Sequence, residues 1–369
     1  MEAVLQVGSY NLVFTASTTP SSGEKESAFA VLYYKTANAA KTKFNKTDEC
    51  VGSVPRNACF RLLPIHYPLH LLSPNTYNLF PIPYLLSPNL FYNITMYTIP
   101  PDFSDFISPN CNRATFIQNF LNKAGLDAPI LQIEGKNHIY VKFPQAQYNP
   151  MFRIKTVIAH YDRIGIGAND NSAAVFCLMQ WAAELARVYS ADCMTGSFHN
   201  IRLIFTDGEE LGAGEGVKEQ GAFALAALFK RLSIADEDIF VFDCMGRGTV
   251  PVICQSHIPK TTSKAFIKQY SGLEQRAETI IKNASQNWFK LPTSYSDNAG
   301  FIANGIPAVA ITMLPADEAE AYCRSLTNIP PTWKMLHTQN DNLQNLTPEA
   351  FEITERIIQN LAALKTIKC

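Results

Sequence analysis

The chain has 369 residues, enough for one large α/β domain or for a domain of about 250 residues with an extension. Its 31 Lys and Arg nearly cancel its 32 Asp and Glu, so no global field points to nucleic acid or to a membrane surface. Nine cysteines, an odd number scattered from Cys50 to Cys369 without a C-x-x-C pair, argue against both a disulfide framework and a cysteine zinc knuckle.

The start, MEAVLQVGSYNLVF, has no basic stretch leading into a clean apolar run, so the expected compartment is the cytoplasm. Asn-x-Ser/Thr at Asn45, Asn93, Asn283 and Asn345 matters only on a secretory route. From Leu62 to Pro101 there is no Asp, Glu, Lys or Arg, seven prolines interrupt the run before Pro101, and LLSPN occurs at 71–75 and again at 85–89. No stretch between prolines approaches the roughly 20 residues of a spanning helix, and neither a 3.6 nor a 2.0 period is present. Residues 1–100 are therefore read as an N-terminal extension, with a hydrophobic docking arm or a membrane-associated loop as the functional alternatives. Residues 101–369 are read as the catalytic domain.

After Pro101 the pattern is that of a globular enzyme. Arg113–Ala124 sets Phe116, Ile117, Phe120, Leu121 and Ala124 on one helical face, with Gly125 as a stop. His138–Phe143 and Arg153–Ala159 read as strands, Asn171–Val188 as a helix, and Asn200–Phe205 as a strand. Gly221–Leu232 follows as a helix, Ile239–Phe242 and Pro307–Thr312 as strands. A last helix has Thr347 as N-cap and Pro348 at its first position, and carries Ile353, Ile357, Leu361 and Leu364. Alternating strands and helices predict a largely parallel sheet covered on both faces, with ligands at the carboxyl ends of its strands.

The candidate site residues fall at those ends. TVIAHYD closes on His160 and Asp162, RLIFTDGEELG on Asp207, Glu209 and Glu210, and IFVFDCMG on Asp243. Between the first two, RIGIGANDNSAA has two glycines for a tight loop and Asp170 just ahead of a helix. WKMLHTQNDN adds His337 in a late loop, with Asp341 four residues on. Each piece alone is ordinary, since acidic turns are usually solvated and a single His is usually structural. Asp243 is the exception, because an unpaired carboxylate at the inner end of an apolar strand is costly. Two imidazoles and three carboxylates form a hard-to-borderline donor set that suits zinc, with cobalt and manganese as alternatives. If one carboxylate bridges, two ions about 3.5–4 Å apart would acidify a water between them. The adjacent Glu209 and Glu210 point different ways, so one would bind metal while the other takes a proton.

The motifs AHYD, GANDNSAA, DGEELG, FDCMG, SDNAGF followed by GIPA, and LHTQND together resemble the co-catalytic zinc aminopeptidases, which include bacterial leucyl aminopeptidase-type enzymes and are related to the glutaminyl cyclases. The resemblance runs from about residue 100 to the C-terminus. It implies a three-layer α/β/α sandwich around a mixed, mostly parallel sheet of about eight strands, and hydrolysis of N-terminal peptide bonds. It implies two zinc ions, with one as the alternative: His160 and Asp243 on one, Glu210 and His337 on the other, and Asp170 bridging. Glu209 would be the general base, Asp162 would orient His160, and Asp297 would stand near the substrate pocket. Asn298 departs from the pattern, as many members carry His there. The expected partner is a peptide or small amide, with no nucleic acid and no membrane. Two rivals stay open: a single-zinc glutaminyl-peptide cyclotransferase and a binding domain without catalysis.

Overall fold

The computed structural model describes residues 98–189, 198–234, 237–258 and 262–368, together with two strands near the start. The chain divides into two units, Met1–Ser87 and Pro88–Cys369. In the first, β1 (Glu2–Val7) pairs antiparallel with β2 (Tyr10–Thr15). The charge-free run up to residue 97, both LLSPN copies and the Asn45 and Asn93 sequons lie outside the described residues.

The second unit holds one sheet of eight strands: β3 (Ile130–Ile133), β4 (Lys136–Val141), β5 (Lys155–His160), β6 (Ile201–Thr206), β7 (Asp238–Phe242), β8 (Val250–Gln255), β9 (Phe289–Pro292) and β10 (Ala308–Leu314). Their order is β3-β4-β6-β5-β7-β10-β8-β9. The central pairs β6–β5, β5–β7 and β7–β10 are parallel, and the β3, β4 side and the β10–β8 pair are antiparallel. A parallel strand covered on both faces reads as an unbroken apolar run, and β5, β7 and β10 are buried at every position.

The period of two sorts those runs between two cores. Val157, Ala159, Phe240, Phe242, Val309 and Ile311 face one core, whereas Ile158, Ile239, Val241, Ala308 and Ala310 face the other. The helices are α1 (Phe103–Ile107), α2 (Arg113–Lys123), α3 (Ala173–Val188), α4 (Gly212–Glu215), α5 (Gly221–Arg231), α6 (Lys264–Lys282), α7 (Asn298–Ala303), α8 (Ala316–Arg324), α9 (Pro331–Met335) and α10 (Pro348–Ala363). α1, α2, α3, α6 and α10 cover the first face, while α5 and α7 cover the second. The result is a three-layer α/β/α sandwich on a mixed sheet. Phe103 of α1 sits edge-on to Phe176 of α3 and Phe351 of α10, and each such ring, fully buried, contributes about 1.5–3 kcal/mol. At the start of β5 the buried Lys155 ammonium donates to the Leu361, Ala362 and Leu364 carbonyls, satisfying the end of α10. Among the described residues, no helix is long and apolar enough to cross a membrane.

One local boundary is corrected. α3 begins at Ala173, because a wide turn over Ala168–Ser172 carries Asp170 and Asn171 on non-helical backbone. Thr347 stands at the N-cap with Pro348 first in the helix, as expected, but its hydroxyl oxygen accepts from Gly248 N rather than from its own helix. β3, β8, β9, the 19-residue α6 and the short helices α1, α4, α7, α8 and α9 lie beyond the elements that the sequence pattern predicts.

Candidate metal centre and active site

The sheet order places β6, β5 and β7 side by side, so the residues that leave their carboxyl ends converge. His160 is the last residue of β5, in register with Thr206 of β6. Its ring is fully buried. Nε2 lies 3.2 Å from Asp170 Oδ1 and 3.6 Å from Asp243 Oδ1, without a well-aligned hydrogen bond to either. His337 Nε2 lies 3.2 Å from the other Asp170 oxygen and 2.8 Å from Glu210 Oε2. Two donor groups result, His160–Asp170–Asp243 and Asp170–Glu210–His337, each with its ligand atoms within 4.8 Å of one another. Asp170 belongs to both.

The residues around this centre hold it from several sides. Asp162 lies 3.5 Å from His160 Nδ1 through Oδ1, and its two oxygens accept the backbone N–H groups of Glu209 at 3.2 Å and Glu210 at 3.1 Å. One carboxylate thus aligns the imidazole and the Glu209–Glu210 turn together. The two neighbouring glutamates meet different partners: Glu210 turns to His337, and Glu209 Oε1 accepts from Gln220 Nε2 at 2.9 Å. That turn has room only because Gly221 lacks a side chain, as a Cβ there would stand 1.9 Å from the Asp207 carbonyl oxygen. Asn171 bridges to β7, donating to Phe242 O and accepting from Cys244 N.

Arg113, from α2, reaches under the β5–α3 loop. Its guanidinium donates to Tyr161 O at 2.6 Å, to Gly167 O and to Ser172 Oγ, and its charge lies over the Phe106 ring. Gly167 itself has φ +60°, and a Cβ there would meet Asp170 O at 2.4 Å. Asp297 is fully buried, accepts from the Thr206 hydroxyl, and keeps Oδ1 without a partner. The departure at Asn298 is absorbed locally, since its side chain accepts from Ser296 N and donates to Ser256 Oγ. The sequence pattern assigns no role to Arg113, Gln220 or Asp341.

The charge balance shows what the cluster would accept. Six carboxylates (Asp162, Asp170, Glu209, Glu210, Asp243 and Asp297) surround two imidazoles. Burial, together with Asp243, Asp297 and Asp170, pushes Glu209 up to about 9 against the pull of His160. Burial and Asp170 raise Glu210 to about 7, and burial raises Asp297 to about 7. Burial alone would lower His160, yet the Asp162, Asp170 and Asp243 carboxylates beside its ring hold it well above the usual imidazole range. The hydrogen bond to Asp170 carries His337 to about 9. Protons are thus held where cations would sit, and a donor set of two imidazole nitrogens and three carboxylates fits zinc. Glu209, Glu210, Asp170, Asp243 and His337 all line one cavity of about 370 Å3, whose apolar wall includes Cys254, Trp333 and Leu336.

A doubly wound sheet that presents paired donor groups and an adjoining glutamate at its carboxyl edge is the arrangement of a metal-dependent hydrolase. The model of Peptidase family M28 matches residues 139–362, and the chain belongs to that family. Among solved structures, the LapA aminopeptidase of Legionella pneumophila is similar at 14% identity over 74% of this chain and 77% of that one, with a TM-score of 0.51. The glutaminyl cyclase of Porphyromonas gingivalis is similar at 18% identity over 69% of this chain and 89% of that one, with a TM-score of 0.48. BSAP, a zinc aminopeptidase from Bacillus subtilis, is similar at 16% identity over 63% of this chain and 51% of that one, with a TM-score of 0.43. No curated protein matches the chain.

Proposed function

We propose that this chain is a zinc-dependent aminopeptidase that hydrolyses the first peptide bond of a peptide or small amide. The observation that carries the reading is the pair of donor groups sharing Asp170, with the Glu209 carboxylate lining the same cavity. His160 and Asp243 would hold one zinc, Glu210 and His337 the other, and Asp170 would bridge them. Zinc held there supplies Lewis acidity toward a carbonyl oxygen and lowers the pKa of a water.

The remaining steps belong to the chain. Glu209 takes the proton of the attacking water on the carboxylate oxygen that Gln220 leaves free, then delivers it to the leaving amine. Asp162 holds the Nδ1 side of His160 so that Nε2 stays turned to Asp170 and Asp243. A cavity of about 370 Å3 suits a terminal residue rather than a chain passing through, and its carboxylates suit a free α-ammonium group. Trp333 and Leu336 give that cavity an apolar side against which the substrate side chain would rest.

The test is Glu209→Gln. It retains zinc and loses at least about two orders of magnitude in kcat on an aminoacyl-nitroanilide. Full activity in this variant overturns the assignment. An N-terminal glutaminyl peptide run beside it separates hydrolysis, which releases free glutamine, from cyclisation, which leaves a pyroglutamyl peptide.

A further inference from the structure

We propose that Asp341 is a positioning residue of the metal centre, fixing the loop that carries Asp170 against the loop that carries His337. The inference rests on the zinc reading above and assigns a role to a residue outside both donor groups.

Asp341 is 3% exposed and sits four residues after His337. Its Oδ1 accepts from Asn169 N at 2.6 Å, its Oδ2 from Asp170 N at 3.1 Å, and its backbone carbonyl from Ala168 N at 3.2 Å. Three successive amides of the β5–α3 loop therefore end on one residue of the distant His337 loop. On its own side, Asp341 N donates to Thr338 O and Thr338 N to Met335 O, so two turns bracket His337. His337 has φ +61°, a backbone state that a residue with a side chain keeps only where its surroundings fix it.

The amide that Oδ2 receives is that of Asp170, the residue common to both donor groups. Asp170 has φ −108° and ψ 94°, outside any helical ladder that would otherwise hold it. Its carboxylate must face His160 on one side and His337 on the other, each at 3.2 Å. Arg113 fixes the start of the same loop through Tyr161 O and Gly167 O, and Asp341 fixes the part that carries the shared carboxylate. A carboxylate receiving two backbone N–H groups makes charge-assisted bonds, shorter and stronger than neutral ones. Asp341 thereby sets the distance between the two groups without touching an ion.

The experiment measures zinc affinity by chelator competition on the full chain for wild type, Asp341→Asn and Asp341→Ala. Cobalt absorption spectra and metal-free melting temperatures are recorded alongside. Wild type takes up two equivalents. Each variant loses about ten- to a hundredfold in affinity for at least one of them, with an altered cobalt spectrum and a melting temperature that falls further below wild type in the zinc-loaded form than in the metal-free form. The inference is overturned if both variants keep both wild-type affinities. It is also overturned if their metal-free forms melt as far below wild type as their loaded forms do, or if neither variant folds, since the role is then only that of the fold. A wild-type chain that takes up no zinc removes the underlying reading instead, and the parallel wild-type titration distinguishes that failure from the others.

Discussion

The Gln220 side-chain amide donates to the Glu209 carboxylate at 2.9 Å, from the residue just ahead of α5. Gln220 is 1% exposed and packs so closely on Gly212 that a Cβ there would stand 2.5 Å from its Cγ. The amide occupies one oxygen of Glu209, a residue that lines the cavity, and leaves the other free of it. Gln220→Leu preserves volume and removes the donor. It should lower kcat about ten- to hundredfold while KM and zinc content stay near wild type. Steady-state kinetics with a metal count on the same sample checks this, and a fall in zinc content would assign Gln220 to metal retention instead.

Arg113 supplies the second prediction. Its buried guanidinium serves Tyr161 O, Gly167 O and Ser172 Oγ; the last two also bond to each other, so Arg113→Met takes from Tyr161 O its 2.6 Å donor and from the others one of their partners. A buried group left unpaired costs about 1–3 kcal/mol, and a loss of about that size in unfolding free energy is expected. Denaturant unfolding measures it. A change below about 0.5 kcal/mol would mean that the loop is held by its other contacts.

The parts of this molecule that are legible in sequence are those with a one-dimensional signature. TVIAH, LIFT and IFVFD are largely apolar runs because their strands are covered on both faces, and each stops at a polar residue at the carboxyl edge of the sheet. The acidic residues and His160 therefore stand out by their position in the sequence alone. β8 and β9 do not, because VPVICQ opens on a proline-interrupted start and FKLP is four residues long at a sheet edge. α6 does carry a signal, since Phe266, Tyr270, Leu273, Ala277 and Ile280 recur at helical spacing and are among the residues it buries. Arg113 has none, and Asp341 is marked only as the acidic residue four after His337, with nothing to say what it holds. Their partners lie 48 to 59 and 171 to 172 residues away and are mostly backbone atoms, which leave no trace in residue type.

The third prediction concerns pH. Glu209 in the metal-free fold stands near 9 against an ordinary 4.5, and His337 near 9 against 6.5. Both are raised, so the stability they contribute is present below their unfolded values and is lost as pH climbs toward 9. Asp162 and Asp170 are lowered, so their contribution is lost in acid. Lys155, lowered to about 7 by burial, has the opposite sign to the raised groups, and stability rises as pH passes from 7 toward 10.5. It acts equally with and without metal. The gap between zinc-loaded and metal-free melting temperatures should therefore widen by several degrees from pH 5.5 to pH 8.5, as zinc no longer competes with the protons on its ligands Glu210, raised to about 7, and His337. Differential scanning calorimetry at fixed ionic strength reads it, and a gap that stays constant or narrows contradicts the assignment.

The most direct test of the account is the zinc content of the intact chain, reconstituted with excess zinc, desalted and measured by plasma mass spectrometry beside Asp170→Ala. The shared position of Asp170 in both donor groups predicts about two zinc ions per wild-type chain and at most one in the variant. A wild-type chain that retains no zinc, or an Asp170→Ala chain that still retains two, contradicts the paired centre on which the proposed hydrolysis rests.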